Sequence, residues 1–446
     1  MPVAQKEVEA RHQLIERLSE ARVRTDELFG IVSPDSLYER PIPERHRIIF
    51  YLGHLEAFDW NLLRERVLGL KVFHPEFDRL FAFGIDPVNG ALPSDQPADW
   101  PSTGDARDYV KRVRENIDTG LAALRTADWD SNPVGADFSA TTLLNVAIEH
   151  RLMHGETLAY MLHQLPLDRK IRKQRKPELV AAPVAPRMIE ISAGRVTLGL
   201  ARDDEAFGWD NEYEARTVDV GAFAIDKYKV TNGQYLNFIA AGGYENAAYW
   251  TKDDWNWRST QQICHPVFWR QVGELWLCRT MFDEIPLPLD WPVYVSQAEA
   301  SAYARWAGKS LPTEAQWQRA AYGTRDGGER PYPWGSAAPS SNLGNFDFHS
   351  WDPAPVGAFA AGESAFGVAD LLGNGWEWTS SRFEPFPGFR QFSFYPGYSA
   401  DFFDGKHYVM KGASARTAAC MLRRSFRNWF QPHYQYVYAG FRCVSN

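Results

Sequence analysis

The chain has 446 residues, 45% of them hydrophobic and 23% charged, which is more than one hydrophobic core serves well and predicts two domains. A net charge of -8 offers no surplus of clustered Lys and Arg for a phosphate backbone, so nucleic acid is excluded as an expected partner. The opening MPVAQKEVEARHQL lacks the apolar core of a signal peptide, and no run of about 18 apolar residues is present, so a cytoplasmic protein without a membrane span is expected.

Helical periodicity dominates the first ~165 residues and predicts helices over about 6 to 29, 43 to 68, 105 to 127 and 139 to 164. The last is capped by Ser139 or by Thr141 and Thr142. Four such helices make an antiparallel bundle over residues 1–166. Between the second and third lies the long, Pro-rich HPEFDRLFAFGIDPVNGALPSDQPADWP, whose aromatics favour packing. Leu167 to Arg187 is basic and then Ala/Pro-rich, as a linker is. From Met188 to Asn446 the chain is rich in Gly, Pro, Trp and Asn, with 17 Trp in all. This predicts a mixed α+β, loop-rich domain whose only longer helices are Ser296 to Ala307 and Thr313 to Tyr322. The four cysteines, Cys264, Cys278, Cys420 and Cys443, fit no zinc or disulfide spacing and are expected to be free and mostly buried.

Three histidines stand out on the bundle. Tyr51, Leu55, Phe58 and Leu62 mark an apolar stripe, and His54 sits on or beside it. On the fourth helix Leu143, Ala147, His150, His154 and Met161 share a face, which places the imidazoles of His150 and His154 about 5 to 6 Å apart at Cβ. An inward histidine on its own is commonly a satisfied core residue. A pair at this spacing, joined by a third from another helix, can fill one face of an iron or zinc ion and leave positions open for substrate and O2 or water. Glu156 is expected to orient a ligand imidazole from behind, and Glu149 is either a second such group or a surface charge.

YLGHLEAFDW around His54 and EHRLMHGETLAYML around the pair, together with the runs VTLG, FGWDNE, KVTNGQYLNF, SLPTEAQWQRAA, YPWG, LLGNGWEWTSS and GFRCV, resemble the sulfoxide synthases of ergothioneine biosynthesis over nearly the whole chain. The resemblance implies a multi-domain protein. An N-terminal all-α, DinB-like four-helix bundle would precede a C-type-lectin-like domain of the formylglycine-generating-enzyme (sulfatase-modifying factor) fold, which supplies the substrate pocket. It further implies Fe(II) held by His54, His150 and His154, with O2 as co-substrate and small molecules as the partners, an imidazole betaine and a thiol. Tyr395, in FYPGYSADFF, would donate a proton during O2 reduction, with Tyr398 lining the same pocket. In SFRNWFQP, Asn428 and Trp429 would meet the cationic amine of a betaine such as hercynine, an indole face being suited to a quaternary ammonium.

Three departures bear on substrate. Met153 stands where the family often has a Gln that contacts the substrate imidazole. Phe430 stands where members using γ-glutamylcysteine tend to carry an acid, and residues 84 to 100 hold no Arg pair to bind its carboxylates. A small thiol, cysteine above all, is therefore expected as donor. The MHGE run is also similar to selenoneine synthases, which makes C–Se bond formation from a selenosugar the alternative. Formylglycine generation needs two close thiols, whereas here Ala415 and a lone Cys420 occupy that region, so that activity is not expected. A non-catalytic protein that retains the fold is the reading of another class, and would not bind iron tightly.

Overall fold

A computed structural model of the chain describes residues 3–82, 92–125, 129, 138–173, 179, 181–204 and 206–445. It forms two compact units, Met1–Gln174 and Arg175–Asn446. Parts of the expected linker (174–178 and 180) and of the loop after the second helix (83–91) lie outside the described residues.

The first unit is helical: α1 (Val3–Phe29), α2 (Ile48–Leu63), the short α3 (Pro75–Leu80), α4 (Thr103–Ala123) and α5 (Ala140–Gln164). Helix α2 is shorter at both ends than its periodicity suggests. Pro41 and Pro43 offer no amide to an early turn, and the chain turns away beyond Leu63 toward Gly69, whose φ of +61° only glycine adopts freely. Helix α5 starts where Ser139 Oγ accepts the Thr142 amide at 3.1 Å, so of the three candidate caps Ser139 is the one used. α5 packs on α1 and α2, and α4 packs on α2. From Val146 to His163 every α5 residue except the half-buried Met153 is buried, which explains why its apolar pattern runs around the whole helix. Helix α3 was not expected; Pro75 at its start and Glu76 and Asp78 in its first turn are the signals for it.

In the second unit the helices are α6 (Asn232–Ala240), α7 (Lys252–Thr260), α8 (Gln297–Trp306) and α9 (Glu314–Tyr322). Helices α8 and α9 are the two expected, each opened by a capping box, Ser296 with Glu299 and Thr313 with Gln316. The strands are short: β1 (Met188–Ile191), β2 (Gly194–Leu198), β3 (Arg216–Val220), β4 (Phe223–Asp226), β5 (Trp269–Val272), β6 (Leu275–Arg279), β7 (Glu284–Pro286), β8 (Gly375–Arg382), β9 (Tyr408–Ala413), β10 (Asn428–Phe430), β11 (Ala439–Gly440) and β12 (Val444–Ser445). They form sheets in the orders β1-β4-β12, β10-β9-β8-β11, β2-β3 and β5-β6-β7. β8 and β9 pair antiparallel from Gly375–Ala413 to Trp378–Met410, and β10 extends the sheet with Trp429 opposite Val409. Gly375 has φ +114°, and a Cβ there would lie 2.6 Å from the Tyr294 ring, so glycine is required at this turn into β8.

Candidate metal centre

Helices α2 and α5 bring His54, His150 and His154 together, all buried. One ring nitrogen from each lies within 4.8 Å of the other two, and no other group of three or more potential ligands this close occurs among the described residues. The Nε2 atoms of His150 and His154 are 3.1 Å apart, the separation that two ligands about 2.1 Å from one ion would have. His54 Nδ1 lies 2.7 Å from the carbonyl oxygen of Phe81, just beyond α3. A carbonyl only accepts, so Nδ1 carries the proton and the Nε2 lone pair is left for the centre. Phe50 stacks on His54 (4.7 Å between centroids) and Phe58 on His150 (3.4 Å), fixing the ring planes.

Burial pushes the His54 imidazole down to about 4, against the Phe81 hydrogen bond, which favours its charged form. His150 and His154 are held well below the usual histidine range, first by burial and then by neighbouring imidazoles, with the Arg151 charge adding to both. At neutral pH all three are therefore neutral, the form in which imidazole binds a metal. The residues fit a resident divalent ion.

Behind the centre Arg151 is fully buried. It donates to Leu55 O at 3.1 Å, Glu56 Oε1 at 2.9 Å and Asp59 Oδ2 at 2.5 Å. Burial would raise the Glu56 carboxyl, yet the guanidinia of Arg151 and Arg114 hold it below its ordinary value. Burial and the neighbouring Glu56 outweigh the Arg151 and Arg22 charges at Asp59 and push it up to about 6. Glu149 is 2% exposed and is not a surface charge. Glu156 is buried on α5, two residues beyond His154.

Met153 is half-buried on α5; the remaining expected site residues lie in the second unit, and most of them are in one aromatic cluster. Tyr398 stacks on Trp209 (4.0 Å, 24°), is 5.7 Å from Tyr395, and meets Trp429 edge-on at 5.5 Å. Trp429 stacks on Phe383 at 4.2 Å with Phe402 at 5.6 Å. Asn428 Oδ1 accepts the Trp429 amide at 2.8 Å. Phe430 sits apart, stacked on Tyr434 at 5.1 Å. Asp210, buried beside Trp209, accepts from Ser399 Oγ at 2.5 Å and so holds the loop that carries both tyrosines. Phe81, Arg151, Trp209 and Phe383 were not singled out from sequence. Only Arg151, a cation placed between two histidines of an almost wholly buried helix, carried a visible signal.

No disulfide joins the four cysteines; Cys278 and Cys443 are buried, Cys420 is half-buried and Cys264 is exposed, so fewer are buried than expected. Burial pushes the Cys278 thiol up to about 12 and that of Cys443 higher still, which makes both unreactive. No helix among the described residues is long and apolar enough to cross a membrane.

A candidate three-histidine metal centre in a helical bundle, followed by a domain of short sheets with an aromatic cluster, defines a two-domain class. The sequence matches the family model of the DinB superfamily over residues 17–158 and that of the sulfatase-modifying factor enzyme 1-like domain over residues 173–446. It is 38% identical to a hercynine oxygenase of Mycobacterium tuberculosis over 76% of this chain and 77% of that protein. A hercynine oxygenase of Mycolicibacterium smegmatis is 35% identical over 98% of this chain and 99% of its own length. Ergothioneine biosynthesis protein 1 of Neurospora crassa is 30% identical over 92% of this chain and 55% of its own. The chain belongs to the hercynine oxygenase family and is an oxidoreductase. None of these three names refers to selenium.

Proposed function

We propose that this protein is an iron(II)- and O2-dependent sulfoxide synthase that joins the sulfur of a small thiol, cysteine before γ-glutamylcysteine, to the imidazole of a betaine such as hercynine. The observation that carries the reading is the convergence of three neutral, buried imidazoles in a chain 35% identical to a hercynine oxygenase along nearly its full length. Overall, thiol, imidazole and O2 give the sulfoxide-linked product and water. One C–S and one S–O bond form, the S–H and imidazole C–H bonds break, and O2 takes up four electrons.

His54, His150 and His154 would hold the metal, which supplies O2 activation and a binding position for the thiolate. Each residue of the chain then has a separate task. The Phe81 carbonyl keeps the His54 Nδ1 proton in place, so that ring presents one donor atom in one orientation. Trp429 offers an indole face to the trimethylammonium group, which has no N–H to donate and is attracted by the ring quadrupole. Asn428 flanks it. Tyr395 Oη delivers a proton as O2 is reduced, and Tyr398, stacked on Trp209, lines the approach. Met153, half-buried on α5, brings a thioether to the imidazole in place of an amide. Phe430 presents an aromatic ring stacked on Tyr434 where a γ-glutamyl ammonium would need a carboxylate, which favours the smaller donor.

The experiment is mass spectrometry of products after iron(II)-loaded protein is given air, hercynine or histidine, and cysteine, γ-glutamylcysteine or a selenosugar. The expected product has the mass of hercynine plus cysteine plus one oxygen atom less two hydrogens. A selenium adduct in preference to the sulfur one would replace the donor assignment, and tight iron binding without any adduct would refute this substrate pair.

A further inference from the structure

We infer that Arg151 is the positioning residue of the three-histidine centre, fixing the register of α2 against α5 so that His54 meets His150 and His154. The inference rests on the reading of these histidines as metal ligands and adds a residue that touches neither metal nor substrate.

The ligands come from two helices, so the centre exists only when those helices stand at one axial and rotational offset. Apolar packing alone holds such an offset loosely, because burial of hydrophobic area is non-directional. Arg151 supplies direction. It lies on α5 directly after His150, and its fork grips one turn of α2: the carbonyl of Leu55, next to His54, and the carboxylates of Glu56 and Asp59. Arg151 and Asp59 are fully buried and Glu56 is 1% exposed, so water cannot take over a lost contact. A slip of α2 by one residue moves it about 1.5 Å and turns it by about 100°, which would carry both carboxylates off the guanidinium and strand a charge in the core.

The grip extends through the bundle. Glu56 also accepts from Arg114 Nε of α4 at 2.9 Å, and Arg114 bonds Asp26 of α1 at 2.7 and 2.8 Å. A chain of charges, Arg151–Glu56–Arg114–Asp26, thus touches α5, α2, α4 and α1 in turn. An ion pair that served stability alone would not need to seize a backbone carbonyl beside a ligand. Buried ionic groups seldom add net stability over an apolar replacement, and setting register is their best-attested use.

The test titrates Co(II) alone into metal-free full-length protein and into Arg151→Met and Arg151→Lys, at temperatures where circular dichroism shows each fully folded. Arg151→Met is expected to bind Co(II) 10- to 100-fold more weakly, with altered d–d absorption bands, and Arg151→Lys should fall between it and wild type. If Arg151→Met does not fold, the triple variant Arg151→Met/Glu56→Leu/Asp59→Leu removes the whole charge set while keeping the core apolar, and the same changes are expected of it. Folded variants with wild-type affinity and spectrum, whatever their melting temperature, would overturn the inference and leave the metal site standing. Failure of wild-type protein to bind Co(II) would remove the metal reading itself, and this inference with it.

Discussion

Trp429 stacks face to face on Phe383, with ring centroids 4.2 Å apart and planes 7° from parallel. One face of the indole is thereby covered, and a cation can reach it only by the other. If that face receives the trimethylammonium group, Trp429→Ala should raise KM for hercynine roughly 10-fold, within the range of a partly desolvated cation–π contact, and leave KM for the thiol unchanged. Trp429→Phe should lose less, since it keeps a ring on Phe383. Steady-state kinetics with each substrate varied in turn checks this; equal losses for both substrates would show damage to the loop rather than to one binding face.

Each of the three imidazoles should be needed for the centre. His150 and His154 are neighbours on one helix, while His54 is the sole ligand candidate from α2 and the one oriented by a carbonyl. Each His→Ala change is expected to weaken Fe(II) binding by at least about 100-fold, since two ligands remain where three were. Anaerobic competition against a chromophoric chelator measures it. Wild-type affinity in any of the three variants would exclude that residue from the centre.

Acid should destabilise the metal-free protein through the same residues. An unfolded chain titrates its histidines near 6.5, whereas folded His54 titrates at about 4 and the other two well below the usual range. Between those values the unfolded state binds more protons, so stability is full above pH 6.5 and falls as pH drops toward 4. Asp59, pushed up to about 6, has the opposite sign and offsets part of this. Three histidines outweigh one carboxyl, so stability should fall from pH 7 to 5.5. Denaturant melts at the two pH values check it, and His150→Ala/His154→Ala should flatten the dependence.

The site was legible in sequence where chemistry follows spacing. His150 and His154 are four residues apart on one helix, and His54 lies on the buried side of another, so the pattern alone brought three imidazoles to one bundle. What orients them was not legible. The Phe81 carbonyl reaches His54 through the unexpected short helix α3, and a backbone oxygen leaves no mark in residue identity. Trp209 and Phe383 are far from Tyr398 and Trp429 in sequence, and long-range packing among 17 Trp has no period to read. Helices α8 and α9 were legible because Ser296 and Thr313 each stand three residues before Glu or Gln; α6 carries the same box, Thr231 with Gln234, inside a run taken only for its family resemblance, and the strands, two to eight residues long, carry too few alternations to be placed.

Tyr395 is 5.7 Å from Tyr398, which is itself fixed on Trp209. If Tyr395 is the proton donor, Tyr395→Phe keeps the ring and removes only the hydroxyl. The fraction of thiol consumed that appears in the C–S product should then fall, with uncoupled thiol oxidation rising, while hercynine affinity stays within about twofold. Product ratios by mass spectrometry decide it, and an unchanged ratio removes Tyr395 from the mechanism.

Glu377 provides the sharpest stability test of the second unit. Fully buried on β8, it accepts from Arg442 at 2.6 and 2.8 Å and from Trp317 Nε1 at 3.0 Å, and pairs with Lys229 at 3.0 Å. Burial alone would raise its carboxyl, but Arg442 and Lys229 hold it below the ordinary value, so it is the anion between two buried cations. Glu377→Gln preserves shape and the Trp317 bond but takes the directly paired anion away from both cations, at a cost of about 3–5 kcal/mol. A fall of roughly 10 °C in melting temperature is expected. Adding Lys229→Met removes one stranded cation, so the double variant should be less destabilised than the sum of its singles. Strict additivity in a double-mutant cycle would mean that the two groups do not act on each other.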